Sequence, residues 1–335
     1  MKEQILSLVS QEYPWKDRFC YLEETGSTND DLKALARQGA PHGTVLIADR
    51  QRGGHGRMGR SFHSPGGVGI YFSILLRPDC GPEALMHLTC ATAVAMCEAV
   101  EAAAGFRPGI KWTNDLVFEK HKLGGILTEL GFSAKGRIDY AIVGIGINCC
   151  QQETDFPEEI RGIAASLSMV TGKAVDRAKV AAAMMDALYR MDCRLLTEKA
   201  ALLEAYRKDC ITIGQEVSLL RVGEPVRHGK AVGMDDDGAL MACLCTGTAT
   251  VASVEVGTSR GVMLSICEIA VGVRGRVPKL RNEKLLLCAL TALETASDAR
   301  SRRNLGRMLV SSLTASIVRS ASARILSLSP VESSI

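Results

Sequence analysis

Over the first 210 residues, apolar positions alternate between a helical period and a strand period. Residues 3–10 suit one short helix. GSTNDDLKALARQG follows, in which Ser27, Thr28 or Asn29 can cap a helix that stops at Gly39. TVLIADRQ (44–51) predicts a strand leading straight into a glycine-rich loop, and GIYFSILLR (69–77) predicts the strand that leaves it. Residues 82–105 keep a helical apolar period that Gly105 closes. IKWTNDLVFEKHKLGGILTEL reads as strand, turn, strand, with HKLGG as a tight turn. YAIVGIGINCC is a buried strand, and ASLSMVTG and residues 177–209 are helical.

The pattern changes near residue 211. QEVSLLR, AVGMDDDGALMACL and TATVASVEV are short strands separated by turn signals such as DDDG. The expected class is α+β: a body of helices and strands over residues 1–210 and a small β-barrel over 211–262. Residues 263–335 are rich in Ser, Ala and Arg and match neither part. No internal repeat is visible.

Composition narrows the function classes. The chain is 47% hydrophobic and 23% charged, which is ordinary for a soluble globular protein, and its formal net charge of +3 is too small to mark a nucleic-acid binder. Residues 266–335 hold 11 Lys and Arg against 5 Asp and Glu, so the first 265 residues are slightly acidic. The twelve cysteines lie scattered, many in apolar runs, and form no CxxC pair, which points to reduced thiols used as small apolar residues rather than to a disulfide framework. MKEQILSLVSQEYPWKDR lacks a signal-peptide apolar core, and no charge-free apolar run is long enough to span a bilayer. A cytoplasmic protein is expected.

The segment QRGGHGRMGRSFHSPGG (51–67) packs six glycines, three arginines and two histidines into one loop. Glycines let the backbone turn and approach a ligand closely, and Arg57 and Arg60 offer forked donors for oxyanions. It is not a Walker loop, because GxxxxGK[ST] is missing. Nor is it a dinucleotide fingerprint, because a strand follows it instead of a helix.

GSTN upstream, GGHGRMGR in the loop, KWTNDL, HKLGGIL and GIGIN occur in one order along the chain. In that combination residues 20–260 resemble the biotin–protein ligases. The resemblance implies a mixed-sheet catalytic domain of the biotin/lipoate ligase type with an SH3-like barrel behind it. It implies that ATP activates biotin to biotinyl-5′-AMP, with Mg²⁺ accompanying the nucleotide, and that biotin then passes to one lysine of a biotin carboxyl carrier domain, such as that of acetyl-CoA carboxylase. Carried over residue by residue, it assigns catalysis to Lys122, Arg57 and Asp115. Biotin falls to Ser27, Thr28, Asn29, Gln51, Gly54, His55, Gly56, Arg57, Lys122, Gly124 and Gly125. ATP and the adenylate fall to Arg57, Arg60, Phe62, Lys111, Asn114, Lys122 and Asn148. The chemistry needs such residues: a carboxylate attacking a phosphate brings two anions together, and cations must offset their repulsion. Trp112 is read as core packing.

Some positions depart from the family pattern. His55 stands where many members carry arginine, Thr113 replaces the proline of KWPND, and the segment around Arg260 does not match the closing strand of the barrel. The roughly 20 residues before the matched region are too few for a winged helix, so DNA binding is not expected. Membrane binding is not expected either, and a homodimer is left open. The competing readings are a lipoate– or octanoate–protein ligase or transferase of the same fold, and a non-catalytic biotin- or nucleotide-binding regulator.

Overall fold

The computed structural model describes residues 1–219, 227–244, 247–257 and 263–272, the last two segments by their backbone. Arg260 and residues 273–335 lie outside them. The described residues up to Val271 form one compact unit.

The body is a seven-stranded mixed sheet in the order β1-β2-β3-β7-β6-β5-β4. Its strands are β1 (Phe19–Thr25), β2 (Thr44–Gln51), β3 (Gly69–Leu76), β4 (Gly109–Lys111), β5 (Asp115–Phe118), β6 (His121–Phe132) and β7 (Ile138–Asn148). β1 and β2 are parallel and the other neighbours antiparallel. Helices cover both faces, which explains why β3 is buried along its whole length. The helices are α1 (Lys2–Leu8), α2 (Thr28–Arg37), α3 (Leu88–Ala104), the short α4 (Glu158–Arg161) and α5 (Leu167–Thr171), α6 (Arg177–Arg194) and α7 (Lys199–Asp209). α3 and α6 bury Val94, Met96, Met184 and Leu188 in the main core with Ile74 and Ile145 of the sheet. On the opposite face, Leu32 and Ala36 of α2 pack with Leu46, Leu75 and Ile142.

A second, five-stranded sheet has the order β12-β11-β10-β9-β8. It comprises β8 (Glu216–Leu219), β9 (Arg227–Met234), β10 (Leu240–Leu244), β11 (Gly247–Gly257) and β12 (Met263–Gly272). β12 lies in the stretch expected to belong to the tail, so strand structure continues past residue 262.

Most expected elements form within a few residues of their predicted limits, but residues 177–209 divide into two helices, α6 and α7, and the segment read as strand, turn, strand holds three strands, β4, β5 and β6. Two further differences have physical causes. HKLGG is not a turn. The chain reverses at Glu119 and Lys120, where Glu119 takes a left-handed φ of 51°, and HKLGG is the first part of β6. Its glycines stay extended because each is paired twice, Gly124 with Leu116 and Ile147, and Gly125 with Asp115 and Gly146. The helix expected over 82–105 opens with a single 3₁₀ turn at Pro82–Leu85 before α3 begins at Leu88. By length and composition alone Pro82–Ala104 would suffice to cross a membrane, yet most of it is buried in the core. Among the described cysteines, Cys90, Cys97, Cys149 and Cys210 are buried as expected, whereas Cys20, Cys193 and Cys243 are exposed. Burial pushes the Cys90 thiol up to about 12.

Candidate active site

The site begins as a hollow in the sheet. Gly144 and Gly146 are two residues apart on β7 and so share a face, and the register sets Leu127 beside Gly144 and Gly125 beside Gly146. At Gly125, Gly144 and Gly146 this patch carries only hydrogens where neighbouring strands place side chains. A cleft of about 390 Å³ opens above it. A methyl group at Gly146 would strike the Phe62 ring, and one at Gly144 would strike the Asn29 amide, so the glycines admit both side chains to the cleft wall.

One wall is a buried polar corner at the start of α2. Ser27 occupies the N-cap position but makes no side-chain capping bond, so its hydroxyl is not committed to the helix. Thr28 is held by Gln51, whose Oε1 accepts from Thr28 N at 2.9 Å and lies 3.0 Å from Thr28 Oγ1. Gln51 Nε2 in turn donates to Ser64 Oγ at 3.2 Å, fixing the glycine-rich loop to the end of β2. Asn29 Nδ2 donates to Glu129 Oε2 at 2.7 Å, and Lys33 Nζ lies 2.6 Å from Glu129 Oε1. Burial works against the charge on Lys33, but its contacts with Glu129 and Asp30 prevail and hold its pKa above the usual lysine value.

The second wall carries charge. The β5–β6 hairpin sets Lys122 Nζ 2.7 Å from Asp115 Oδ1. Asn114 Nδ2 donates to the same oxygen at 3.1 Å, and Asn114 Oδ1 accepts from Arg57 Nη1 at 3.0 Å. Arg57 sits on a short 3₁₀ turn of the glycine-rich loop. Three separate segments, the loop, KWTND and HKLGG, are thereby joined by one hydrogen-bonded cluster. Lys111, Arg60, His55 and Gly56 also line the cleft. His55 lies with Nδ1 3.1 Å from Gly53 O.

Of the residues singled out from sequence, Gly54, Gly124 and Asn148 are absent from the cleft lining and the others reach it. A methyl group at Gly54 would press on Ser64 and Phe62 O, and one at Gly124 on Gly146 O, so these two glycines allow segments to pack closely. Asn148 Nδ2 ties the end of β7 to Ala165 O at 3.1 Å. Gly125 has a different neighbour: a methyl there would lie 3.3 Å from Lys122 Nζ and 3.4 Å from Asp115 Oδ1.

Sequence reasoning missed three features. Gly144 and Gly146 form the floor, and the signal was the period-two glycine spacing within a buried strand. Ser73 backs the polar corner from a strand that otherwise reads as apolar. Trp112, expected in the core, does pack against the main core but also lines the cleft, and its Nε1 donates to Gly238 O at 3.0 Å in the DDDG turn of the second sheet. Its neighbour Thr113 follows a cis peptide bond, and Thr113 O accepts from Tyr206 at 3.0 Å.

A glycine-floored cleft with a polar corner and a cation cluster, on a mixed sheet followed by a small β-domain, agrees with the comparisons to known proteins. Residues 21–148 match the biotin/lipoate A/B protein ligase family, and residues 212–255 match the biotin protein ligase C-terminal domain. The chain belongs to the biotin protein ligase family. It is 39% identical over 225 residues to the bifunctional ligase/repressor BirA of Bacillus spizizenii, covering 66% of this chain and 68% of that one. It is 33% identical over 233 residues to the biotin–[acetyl-CoA-carboxylase] ligase of Mycobacterium tuberculosis, covering 68% and 83%. In structure it is similar to the biotin protein ligase from Aquifex aeolicus in complex with biotin and ATP, with a TM-score of 0.60 at 30% identity over 76% of this chain and 99% of that one.

Proposed function

We propose that the chain is an ATP-dependent biotin–protein ligase acting on the carrier domain of acetyl-CoA carboxylase or a related biotin enzyme. The observation that carries this reading is the Arg57–Asn114–Asp115–Lys122 cluster, which lines the same cleft as the Ser27–Thr28–Gln51 corner. Biotin has a polar ureido head, an apolar body and a carboxylate tail, and this cleft offers a matching set of groups. The biotin carboxylate oxygen attacks the α-phosphorus of ATP and pyrophosphate leaves. The ε-amine of the carrier lysine then attacks the acyl carbon, forms the amide and releases AMP. Lys122 and Arg57 offset the charge of carboxylate and phosphate as they meet. Asp115 holds Lys122 in place and, as the acidic side chain in the cleft lining, takes up the proton that the incoming amine must lose.

Mg²⁺ would arrive as the partner of the ATP phosphates. No cluster of three or more His, Cys, Asp or Glu side chains among the described residues could hold a metal ion, and Asp115 is the single acidic side chain lining the cleft. That donor set suits an ion carried mainly by phosphate oxygens and water. Phe62 covers the ligand, and Lys111 and Arg60 meet the nucleotide. We further propose that the protein works in the cytoplasm, binds neither DNA nor membrane, and divides into a ligase body over 1–210 and an SH3-like part beyond it.

The test is incubation with ATP, Mg²⁺ and a purified biotin carboxyl carrier domain, with biotin, lipoate or octanoate supplied in turn. Mass spectrometry should find biotin, and neither other acid, on one carrier lysine. Acylation by lipoate or octanoate instead would overturn the reading.

A further inference from the structure

Behind Thr28 lies a closed set of polar side chains whose protons can be counted. Ser73 is fully buried, and Thr28, Asn29 and Glu129 are 3%, 4% and 2% exposed. Ser73 Oγ is 2.6 Å from Asn29 Oδ1 and 2.8 Å from Thr28 Oγ1, and Thr28 Oγ1 is 3.0 Å from Gln51 Oε1. Both ends of this chain can only accept. At one end Gln51 Oε1 is turned inward by the Thr28 backbone N–H, a group that only donates. At the other, Asn29 Oδ1 is turned toward Ser73 because Asn29 Nδ2 is held by the Glu129 carboxylate. That carboxylate has the Lys33 ammonium on its other oxygen, the pairing that a buried charge requires.

Three oxygen–oxygen contacts of hydrogen-bond length therefore share two hydroxyl protons. However Ser73 and Thr28 turn, one contact lacks a proton, and neither hydroxyl has one to spare for the cleft. We propose that the Lys33–Glu129 pair, acting through Asn29 and Ser73, keeps this corner short of protons, so that Thr28 and Gln51 select a ligand N–H and disfavour a ligand acceptor. Resting on the biotin reading above, this makes Glu129, Lys33 and Ser73 positioning residues for one of the two ureido N–H groups.

The consequence of losing the charge follows from the same count. In Glu129→Gln, Lys33 claims the new amide oxygen, since an ammonium can only donate. The new NH₂ then faces Asn29 and turns that amide over, so that Asn29 donates to Ser73. The missing proton is thereby supplied from behind, and the corner no longer needs a ligand donor.

The experiment is calorimetric titration of the full chain with biotin and with its cyclic carbonate analogue, in which both ring N–H groups are oxygen. Wild type should prefer biotin strongly. In Glu129→Gln the preference should narrow by about tenfold or more, the scale of one mismatched buried hydrogen bond. Ser73→Ala removes one hydroxyl and two of the three contacts, leaving the Thr28 proton for the single contact with Gln51; it should narrow the preference likewise and guards against a folding defect in the first variant. A preference that stays at the wild-type value in both variants, even with weaker absolute binding, would overturn the proposal and leave these residues as packing. Wild type that binds neither compound would instead defeat the biotin reading itself.

Discussion

Lys122 and Asp115 face each other across the β5–β6 hairpin, with Nζ 2.7 Å from Oδ1. Both side chains are partly exposed, so the pair contributes little to stability. Its value is positional: the ammonium is held over the cleft by a carboxylate that Asn114 also contacts, and Asn114 in turn accepts from Arg57. Lys122→Ala should therefore slow pyrophosphate release by about 10²–10³, the usual cost of one lost electrostatic contact to a transition state, while thermal stability stays close to wild type. A pyrophosphate-release assay beside a melting curve checks both halves.

Arg57 joins the loop to KWTND through Asn114. Arg57→Gly should still permit adenylate formation but loosen the loop over the intermediate. Biotin should then appear on bystander lysines as well as on the carrier, which peptide mapping of a mixed-protein reaction will show.

Gly146→Ala tests the floor of the cleft. The added methyl would meet the Phe62 ring, and Phe62 is carried on the glycine-rich loop rather than on the sheet. The ring should move before the strand does. The expected outcome is a several-fold rise in KM for biotin with folding retained, read from steady-state kinetics and circular dichroism.

Asp49 anchors the far end of the same loop. Its carboxylate accepts from Gly67 N at 2.9 Å, from Tyr21 at 3.1 Å and from Arg177 at 2.6 Å. Partial burial favours the neutral acid, but Arg177 and the two other donors outweigh it and hold the carboxyl below its ordinary 3.8. The stabilisation is therefore complete above that ordinary value and is lost as pH falls through the lower folded one. Asp49→Asn should cost on the order of 2 kcal/mol at neutral pH, where Arg177 loses its charged partner. Below about pH 4 the deficit should shrink as the wild-type carboxyl takes up its proton. Denaturant unfolding of both proteins across that range measures it.

The strands and helices were legible because burial on one or two faces imposes its period on the sequence, as in TVLIADRQ and GIYFSILLR. The hairpin turn was not. HKLGG carries the residues of a turn, but pairing on both sides keeps its glycines extended, and the reversal falls on Glu119, a residue with no turn preference. Most cleft residues were reachable through their motifs, since Arg57 and Lys122 are polar groups in short glycine-bearing segments and Asn114 and Asp115 sit together in KWTNDL. Ser73 was not, because its role depends on α2 lying across β3, a tertiary relation that no local pattern encodes. Trp112 looks like core in sequence, and its exposure to the cleft follows from the meeting of KWTND with the turn at Gly238.

The position of Trp112 also gives the molecule a built-in optical reporter. The chain has two tryptophans. Trp15 is buried edge-on among Tyr13, Tyr189 and His42, on the core side that also holds α6. Trp112 forms part of the cleft wall and hydrogen-bonds to the second sheet. A change of indole emission on adding nucleotide should therefore arise at Trp112, persist in Trp15→Phe and vanish in Trp112→Phe. Filling of the cleft can then be followed in real time without attaching a dye.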